Sequence, residues 1–175
     1  MKKLLIVVDY QKDFVDGALG FEGAAALDKV IAEKVRAYQE AGDDVVVTLD
    51  THGDDYPYTQ EGQRLPIAHC LRYTGGWRMY GETARLTEDC RAFEKPTFGS
   101  AGLFAYLCQY RYSSIELCGL VSNICVISNA VLAKTAQPDT EIIVDAAATG
   151  SADAELNLAA LKVMAGLQIS VLNMP

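Results

Sequence analysis

The sequence predicts a single α/β domain built on a mostly parallel six-stranded sheet with helices on both faces. Short apolar runs alternate with segments whose apolar residues recur at helical spacing, as in repeated strand–helix units. Most of the runs are continuous rather than alternating, which is typical of parallel strands covered on both faces. The length of 175 residues suits one core, so we expect residues 1–175 to form a single domain.

Six strands are predicted along the chain, most of them rich in Val, Ile or Leu. They span Leu4–Val8, Val45–Leu49, Ala92–Glu94, Ile115–Leu120, Glu141–Val144 and Gln168–Leu172. Four segments have the apolar spacing of helices, namely Ala24–Ala41, Ala101–Tyr110, Ile124–Ala136 and Asp153–Gly166.

The segment 51–88 interrupts this order because it is rich in Gly, Pro, Tyr and polar residues. A long irregular segment inside a compact domain is more often functional than idle. In open α/β sheets, sites collect beyond the carboxyl ends of the strands. Asp9, Asp50, Lys95 and Cys125 all fall at or just after such ends, so we expect them to converge.

Composition excludes several classes of function. A net charge of -8 argues against nucleic-acid binding, and no stretch approaches the roughly 20 apolar residues of a membrane span. The apolar run near the N-terminus stops at Asp9, which indicates a strand rather than a signal peptide. Five cysteines at irregular spacing, without a CxxC pair, favour reduced thiols in the cytoplasm.

Cys125 is a candidate nucleophile. If Ser122 is the N-cap of the following helix, Cys125 is its third residue, where the positive helix end favours a thiolate. Asp9 could accept the thiol proton, and the ammonium of Lys95 could hold both anions. The alternatives are a buried apolar cysteine, a solvated strand-end carboxylate and an exposed lysine.

A metal site is a separate possibility. His52 and His69 are the only histidines, and both lie in the irregular segment. Asp50 and His52 share a face if the strand continues. With Glu61 they make a nitrogen and oxygen ligand set suited to zinc, manganese or iron(II). The alternative is two loop histidines without a ligand role.

Five stretches together resemble the cysteine hydrolase (isochorismatase-like) superfamily of nicotinamidases, isochorismatases and N-carbamoyl amidases. They are "VVDYQKDF", "TLDTH", "PIAHCLRYTGGW", the lysine of "EKPTFGS" and "GLVSNICV". They occur in the family's order over essentially the whole chain, and the nicotinamidase branch is the most similar.

The resemblance implies roles for particular residues. It implies a catalytic triad of Asp9, Lys95 and Cys125. It implies metal ligation by Asp50, His52 and His69, with Glu61 as a further ligand, zinc being the leading metal and manganese or iron alternatives. It also implies a cis peptide at Leu120–Val121 and an oxyanion hole formed by the backbone N–H groups of Val121 and Cys125.

The pocket is where the sequence departs from the family. Leu65 replaces the aromatic residue that lines the pyridine pocket, and Ser122–Asn123 replaces the usual Thr–Asp pair. Phe14 remains a candidate pocket wall, together with Leu65, Tyr10 and Trp77.

The activity that the resemblance implies is hydrolysis of nicotinamide to nicotinate and ammonia through a thioester. This reaction belongs to NAD metabolism, and relatives commonly form homo-oligomers. One alternative is another small amide or N-carbamoyl substrate with a vestigial metal site. Isochorismatase activity is disfavoured, because that chemistry does not use the nucleophilic cysteine. A non-catalytic binding or redox-sensing protein is a further alternative.

Overall fold

The computed structural model describes residues 1–175 and confirms the predicted α/β class. Six strands form one sheet in which every neighbouring pair is parallel. They are β1 (Leu4–Val8), β2 (Asp44–Asp50), β3 (Arg91–Lys95), β4 (Ser114–Leu120), β5 (Glu141–Gly150) and β6 (Ser170–Leu172). Their order across the sheet is β3-β2-β1-β4-β5-β6.

Seven α-helices connect the strands. They are α1 (Lys12–Val15), α2 (Leu27–Glu40), α3 (Gln60–Arg64), α4 (Gly81–Leu86), α5 (Ala101–Gln109), α6 (Ile127–Ala136) and α7 (Ala154–Gly166). Short 3₁₀ turns cover Ala24–Ala26 and Tyr56–Tyr58, and a π-helical turn at Ser122–Val126 leads directly into α6. None of the helices combines the length and apolar composition needed to cross a bilayer.

The core lies on both faces of β1, which explains why that strand is a continuous apolar run. Leu4, Ile6 and Val8 pack in the layer with α5, α6 and α7. Leu5 and Val7 pack in the opposite layer with α2. Successive side chains of a strand point to opposite faces, so both faces of a central strand must be apolar.

The order of the strands places a crevice between β1 and β4. The chain builds β1, β2 and β3 in one direction and then returns to add β4, β5 and β6 on the other side. Ligands of open α/β sheets bind at the carboxyl ends of the strands where the order reverses in this way. Asp9 follows β1, and Cys125 follows β4, so both lie at this crevice.

The predicted elements differ from the observed ones mainly at their ends. β5 runs on to Gly150 instead of ending at Val144, and its pairing with β4 shifts register between Leu117 and Gly119. β6 begins at Ser170, two residues later than predicted, because Gln168 has a left-handed φ of 63° and belongs to the preceding turn.

Candidate active site

Asp9, Lys95 and Cys125 come together at the carboxyl ends of β1, β3 and β4. The Lys95 Nζ atom lies 2.7 Å from Asp9 Oδ2 and 3.5 Å from Cys125 Sγ. All three residues are buried, with Asp9 fully enclosed. The sequence alone placed each of them at a strand end, and the sheet brings them within contact distance.

The orientation of the Asp9 carboxylate is set by β2. Asp9 has a left-handed φ of 43°, and the Thr48 hydroxyl donates a 2.6 Å hydrogen bond to Asp9 Oδ1. The other oxygen, Asp9 Oδ2, faces the Lys95 ammonium at 2.7 Å, so the ammonium and the Thr48 hydroxyl together fix the direction of the carboxylate.

A glycine lets β4 approach β1 next to Asp9. Gly119 has a φ of 105°, and a Cβ atom there would stand 2.0 Å from the Val8 carbonyl oxygen. Any other residue would push the two strands apart at the crevice. The glycine of the "CGLV" stretch is thus needed for the close approach of Asp9 and the segment that carries Cys125.

The turn after β4 holds Cys125 in a different way from the one expected. The Leu120–Val121 peptide is cis, as the resemblance implies, but the helix that follows begins differently. Val121, not Ser122, precedes the first helical residue, and the buried Ser122 hydroxyl has no hydrogen-bond partner. The expectation that Ser122 caps the helix is therefore wrong, and Cys125 is the fourth residue of the helical segment.

Asn129 fixes this turn against the neighbouring loop. Its side-chain amide donates to the Cys125 carbonyl at 2.8 Å and to the Phe98 carbonyl at 3.1 Å. Its Oδ1 accepts a 2.9 Å hydrogen bond from the Ser100 N–H. The segment with Cys125 and the loop that follows Lys95 are therefore joined through one buried side chain.

Burial and charge decide the resting protonation of the three groups. Burial raises the pKa of the Cys125 thiol well above its usual range, and Asp9 raises it further while Lys95 opposes the shift. Burial also raises the pKa of Asp9 against the effect of Lys95. Burial alone would lower the pKa of Lys95, but the charges of Asp9, Cys125 and Asp50 raise it. Burial and the charge of Asp9 therefore act against the thiolate that a position near a helix N-terminus favours.

A second cluster joins Asp50, His52, Glu61 and His69. One ligand atom from each of the four lies within 4.8 Å of all the others. Asp50 Oδ2 is 3.0 Å from His52 Nε2 and 3.3 Å from His69 Nε2, and Glu61 Oε1 is 3.7 Å from both nitrogens. Two imidazoles and two carboxylates that converge in this way fit a zinc-type ion.

The surroundings of the cluster support the same conclusion. His69 Nδ1 is 2.8 Å from the Ile67 carbonyl and donates to it, which directs Nε2 toward Asp50 at the centre of the cluster. The Gln11 side-chain amide forms two hydrogen bonds with the Asp50 backbone. It donates to the Asp50 carbonyl at 2.9 Å and accepts from the Asp50 N–H at 2.8 Å. Burial acts to raise the pKa of Asp50, but the hydrogen bonds from His52 and His69 bring it below its usual range.

A small cavity of about 50 Å³ reaches Cys125 and the cluster of Asp50, His52, Glu61 and His69, which is called the metal-type cluster below. Its apolar wall is formed by two of the candidate pocket residues, Phe14 and Leu65, together with Leu19, Val121, Phe98 and Ile124. Those last two residues, with Leu65, also line a neighbouring cavity of about 460 Å³ on the outer side. That second cavity also reaches His52 and Glu61, so the three shared apolar side chains lie between the two cavities.

Two predicted pocket residues lie elsewhere. The Tyr10 hydroxyl donates to the Ala24 carbonyl, and its ring packs edge-on against Tyr80 in the core. Trp77 donates its indole N–H to the Thr51 hydroxyl and lines a separate cavity. Both expectations are wrong because aromatic rings near a site are as readily taken up by packing as by a pocket.

Three supporting residues were not predicted. Thr48 and Gln11 lie within quoted stretches, but their roles depend on contacts between β1 and β2. Asn129 could have been suspected because a buried-face Asn stands one helical turn after Cys125. No sequence signal reveals its contact with the Phe98 carbonyl, since that residue lies on another element.

Comparison with known proteins gives a consistent result. The family described as the isochorismatase domain matches residues 3–174. The crystal structure of nicotinamidase/pyrazinamidase PncA from Bacillus subtilis has a TM-score of 0.88 at 30% identity, over 99% of this chain and 100% of that one. A pyrazinamidase of Pyrococcus horikoshii in complex with zinc has a TM-score of 0.85 at 24% identity, over 98% of this chain and 99% of that one. At this identity the similarity establishes a shared fold only.

A curated relative extends the match. It is an uncharacterized isochorismatase family protein, PncA, of Bacillus subtilis (strain 168), 29% identical over 143 residues. The matched part covers 75% of this chain and 78% of the relative.

Proposed function

Because this chain belongs to the isochorismatase domain family, we propose that it is a cysteine-dependent amidohydrolase that converts nicotinamide and water to nicotinate and ammonia. The observation that carries the proposal is the contact of one buried ammonium, Lys95 Nζ, with both Asp9 Oδ2 at 2.7 Å and Cys125 Sγ at 3.5 Å. The similarity to the Bacillus subtilis nicotinamidase/pyrazinamidase supports the choice of substrate.

The three groups carry the chemistry as follows. Asp9 Oδ2 accepts the proton of the Cys125 thiol, and the resulting thiolate attacks the amide carbon of the substrate. The C–N bond then breaks, and Asp9 returns the proton to the departing amine, so that ammonia leaves a thioester on Cys125. Water, deprotonated by Asp9, hydrolyses the thioester and restores the thiol.

Lys95 makes this sequence possible inside a closed site. A thiolate and a carboxylate side by side repel each other, and burial strengthens the repulsion. The ammonium touches both groups, so it offsets the negative charge that moves from one to the other. The backbone N–H groups of Val121 and Cys125 are the proposed donors to the tetrahedral oxyanion, each worth roughly 3 kcal/mol of barrier.

We assign the metal site to Asp50, His52, Glu61 and His69, with zinc as the leading candidate and manganese or iron(II) as alternatives. When bound, a divalent ion supplies a Lewis-acid position beside the thiol for a ring nitrogen or a water molecule. The protein's own contribution is to orient His69 through the Ile67 carbonyl and to keep the four ligands next to the cavity.

The pocket favours a small, flat amide. Phe14 lies edge-on to the His69 ring at a centroid distance of 5.6 Å, and Leu65 stands on the same cavity. The aromatic wall at Phe14 suits a pyridine ring with its amide directed at Cys125. We further propose that the enzyme acts in the cytoplasm, within NAD metabolism, and as a homo-oligomer. Five free cysteines agree with a reducing compartment.

A second candidate is hydrolysis of another small amide or an N-carbamoyl compound by the same three groups. The observation that favours it is Leu65 in the cavity wall. An aliphatic side chain gives a pyridine ring no aromatic stacking partner, so the wall at this position does not select for an aromatic substrate. The chemistry would be unchanged and only the acyl part would differ.

The deciding experiment measures ammonia release from nicotinamide by protein purified without a chelator. Cys125→Ala and a chelator-stripped sample are run beside it. Turnover that disappears in both supports a metal-dependent nicotinamidase with Cys125 as nucleophile. Absence of turnover with nicotinamide, but Cys125-dependent ammonia release from another amide or carbamoyl compound, would replace nicotinamide with the second candidate.

A further inference from the structure

Helix α7 carries an apolar stripe on its outer face. Leu156, Val163 and Leu167 are 51%, 52% and 43% exposed, and Ala159 is exposed between them. The opposite face of the helix is used by the core, where Ala160, Leu161 and Met164 are buried. Amphipathic packing therefore does not explain the stripe, because an ordinary surface helix is polar on its outer face.

Two opposite charges flank this stripe. Glu155 and Lys162 are exposed and seven residues apart, so they lie on the same side of α7, about two turns from each other. Neither takes part in an ion pair within the chain, whose ion pairs lie elsewhere. The acidic end and the basic end of the stripe are thus both free to pair with another molecule.

We propose that α7 is a self-association surface on which a second copy of this chain packs antiparallel, about a twofold axis beside Ala159. Such an axis pairs residues that are equally far from Ala159 on either side. Glu155 of one copy then lies level with Val163 of the other and next to its Lys162. The same contact recurs at the other end, so the Glu155–Lys162 contact forms twice and all four charges of the dimer are paired.

The charge pattern favours a second copy over a different partner. Reversal of the helix exchanges its acidic and basic ends, so the stripe is complementary to itself. An acidic or a basic partner would match only one end and be repelled at the other. Ala159 at the centre has a small side chain, so the two helices can approach closely while Leu156 and Val163 pack on either side.

The inference does not depend on amidase activity, because none of the stripe residues lines the cavity at Cys125. The test is sedimentation velocity of the full chain over a wide range of concentration. We expect a dimer in the wild type. Glu155→Lys and Lys162→Glu should each weaken it about tenfold or more, because each change makes both symmetry-related contacts repulsive. The double variant Glu155→Lys/Lys162→Glu should regain most of the lost affinity.

Matched controls make the same charge changes on the opposite side of the sheet. Glu33→Lys and Lys29→Glu alter exposed residues of α2 and should leave the dimer unchanged. Leu156→Asp should give a monomer with an unchanged circular dichroism spectrum. A monomeric wild type would overturn the proposal. So would charge reversals that behave like the α2 controls, or a double variant no tighter than either single one.

Discussion

Asp50 and Lys95 are in contact, with Oδ1 of the carboxylate 3.3 Å from Nζ of the lysine. The other oxygen of Asp50 faces His52 Nε2 at 3.0 Å and His69 Nε2 at 3.3 Å. One carboxylate therefore belongs both to the metal-type cluster and to the surroundings of the proposed triad. The two halves of the site are physically linked, and a change in one should be felt by the other.

The proposed nucleophile and base should act as a unit. We expect Cys125→Ala and Asp9→Asn each to lower kcat about a thousandfold or more, and the double variant to lose little beyond either single one. The measurement is steady-state ammonia release, with thermal unfolding as the check on folding. Additive losses in the double variant would show that the two residues act in separate steps.

Activity should fall on the acid side through the protonation of Asp9. Burial raises the pKa of this carboxyl, so the acid limb of kcat/KM should lie above the value of about 4 for a solvated aspartate. Thr48→Val removes the hydrogen bond that favours the charged form, and should move the limb to still higher pH. Thr135→Val, at an exposed position, is the control. A limb that Thr48→Val leaves in place would remove Asp9 from the proton transfer.

Metal affinity should depend unequally on the two carboxylates. Asp50 contacts both imidazoles, whereas Glu61 Oε1 is 3.7 Å from each. We therefore expect Asp50→Asn to abolish stoichiometric zinc and Glu61→Gln to weaken zinc about tenfold or more. Calorimetric titration and elemental analysis give the answer, with Cys125→Ala as a variant that keeps its metal. Full zinc content in Asp50→Asn would disprove this ligand set.

Stability should depend on a lysine far from the proposed reaction. Lys34 Nζ is 2.8 Å from Glu116 Oε1 and 2.6 Å from Asp145 Oδ2, beneath α2. Lys34→Met leaves two facing carboxylates with little access to water and should cost about 3 kcal/mol of unfolding free energy. Lys2→Met removes an exposed pair with Asp44 and should leave the unfolding free energy almost unchanged. Urea unfolding at neutral pH compares the two.

The pH dependence of that difference can also be stated. Burial acts to raise the pKa of Asp145, but the hydrogen bonds from Lys34 and Asn173 bring it below its usual range. A carboxyl with a lowered folded-state pKa stabilises above its unfolded-state pKa, and the effect is lost as the pH falls through the folded-state value. The gap between wild type and Lys34→Met should therefore narrow in acid. An undiminished gap would show that lost packing, not charge, causes the destabilisation.

Local pattern was enough to predict the class of the fold and the family. Leu4–Val8 reads as a buried strand because a central parallel strand must be apolar on both faces, and the structure confirms it. Membership of the isochorismatase family, inferred from five short stretches, is confirmed by the match over residues 3–174. That 1–175 is a single domain stays a prediction, as do the roles of the individual site residues.

The sequence by itself determined which residues stand at strand ends, since apolar runs and the polar residues that stop them are local features. Only the tertiary structure decided which ends are neighbours, because strand order depends on hydrogen bonds between segments distant in the chain. For that reason Thr48 and Asn129 went unpredicted, and Tyr10 and Trp77 were wrongly placed in the pocket. The shared position of Asp50, between the metal-type cluster and Lys95, is likewise a product of the pairing of β2 with β3.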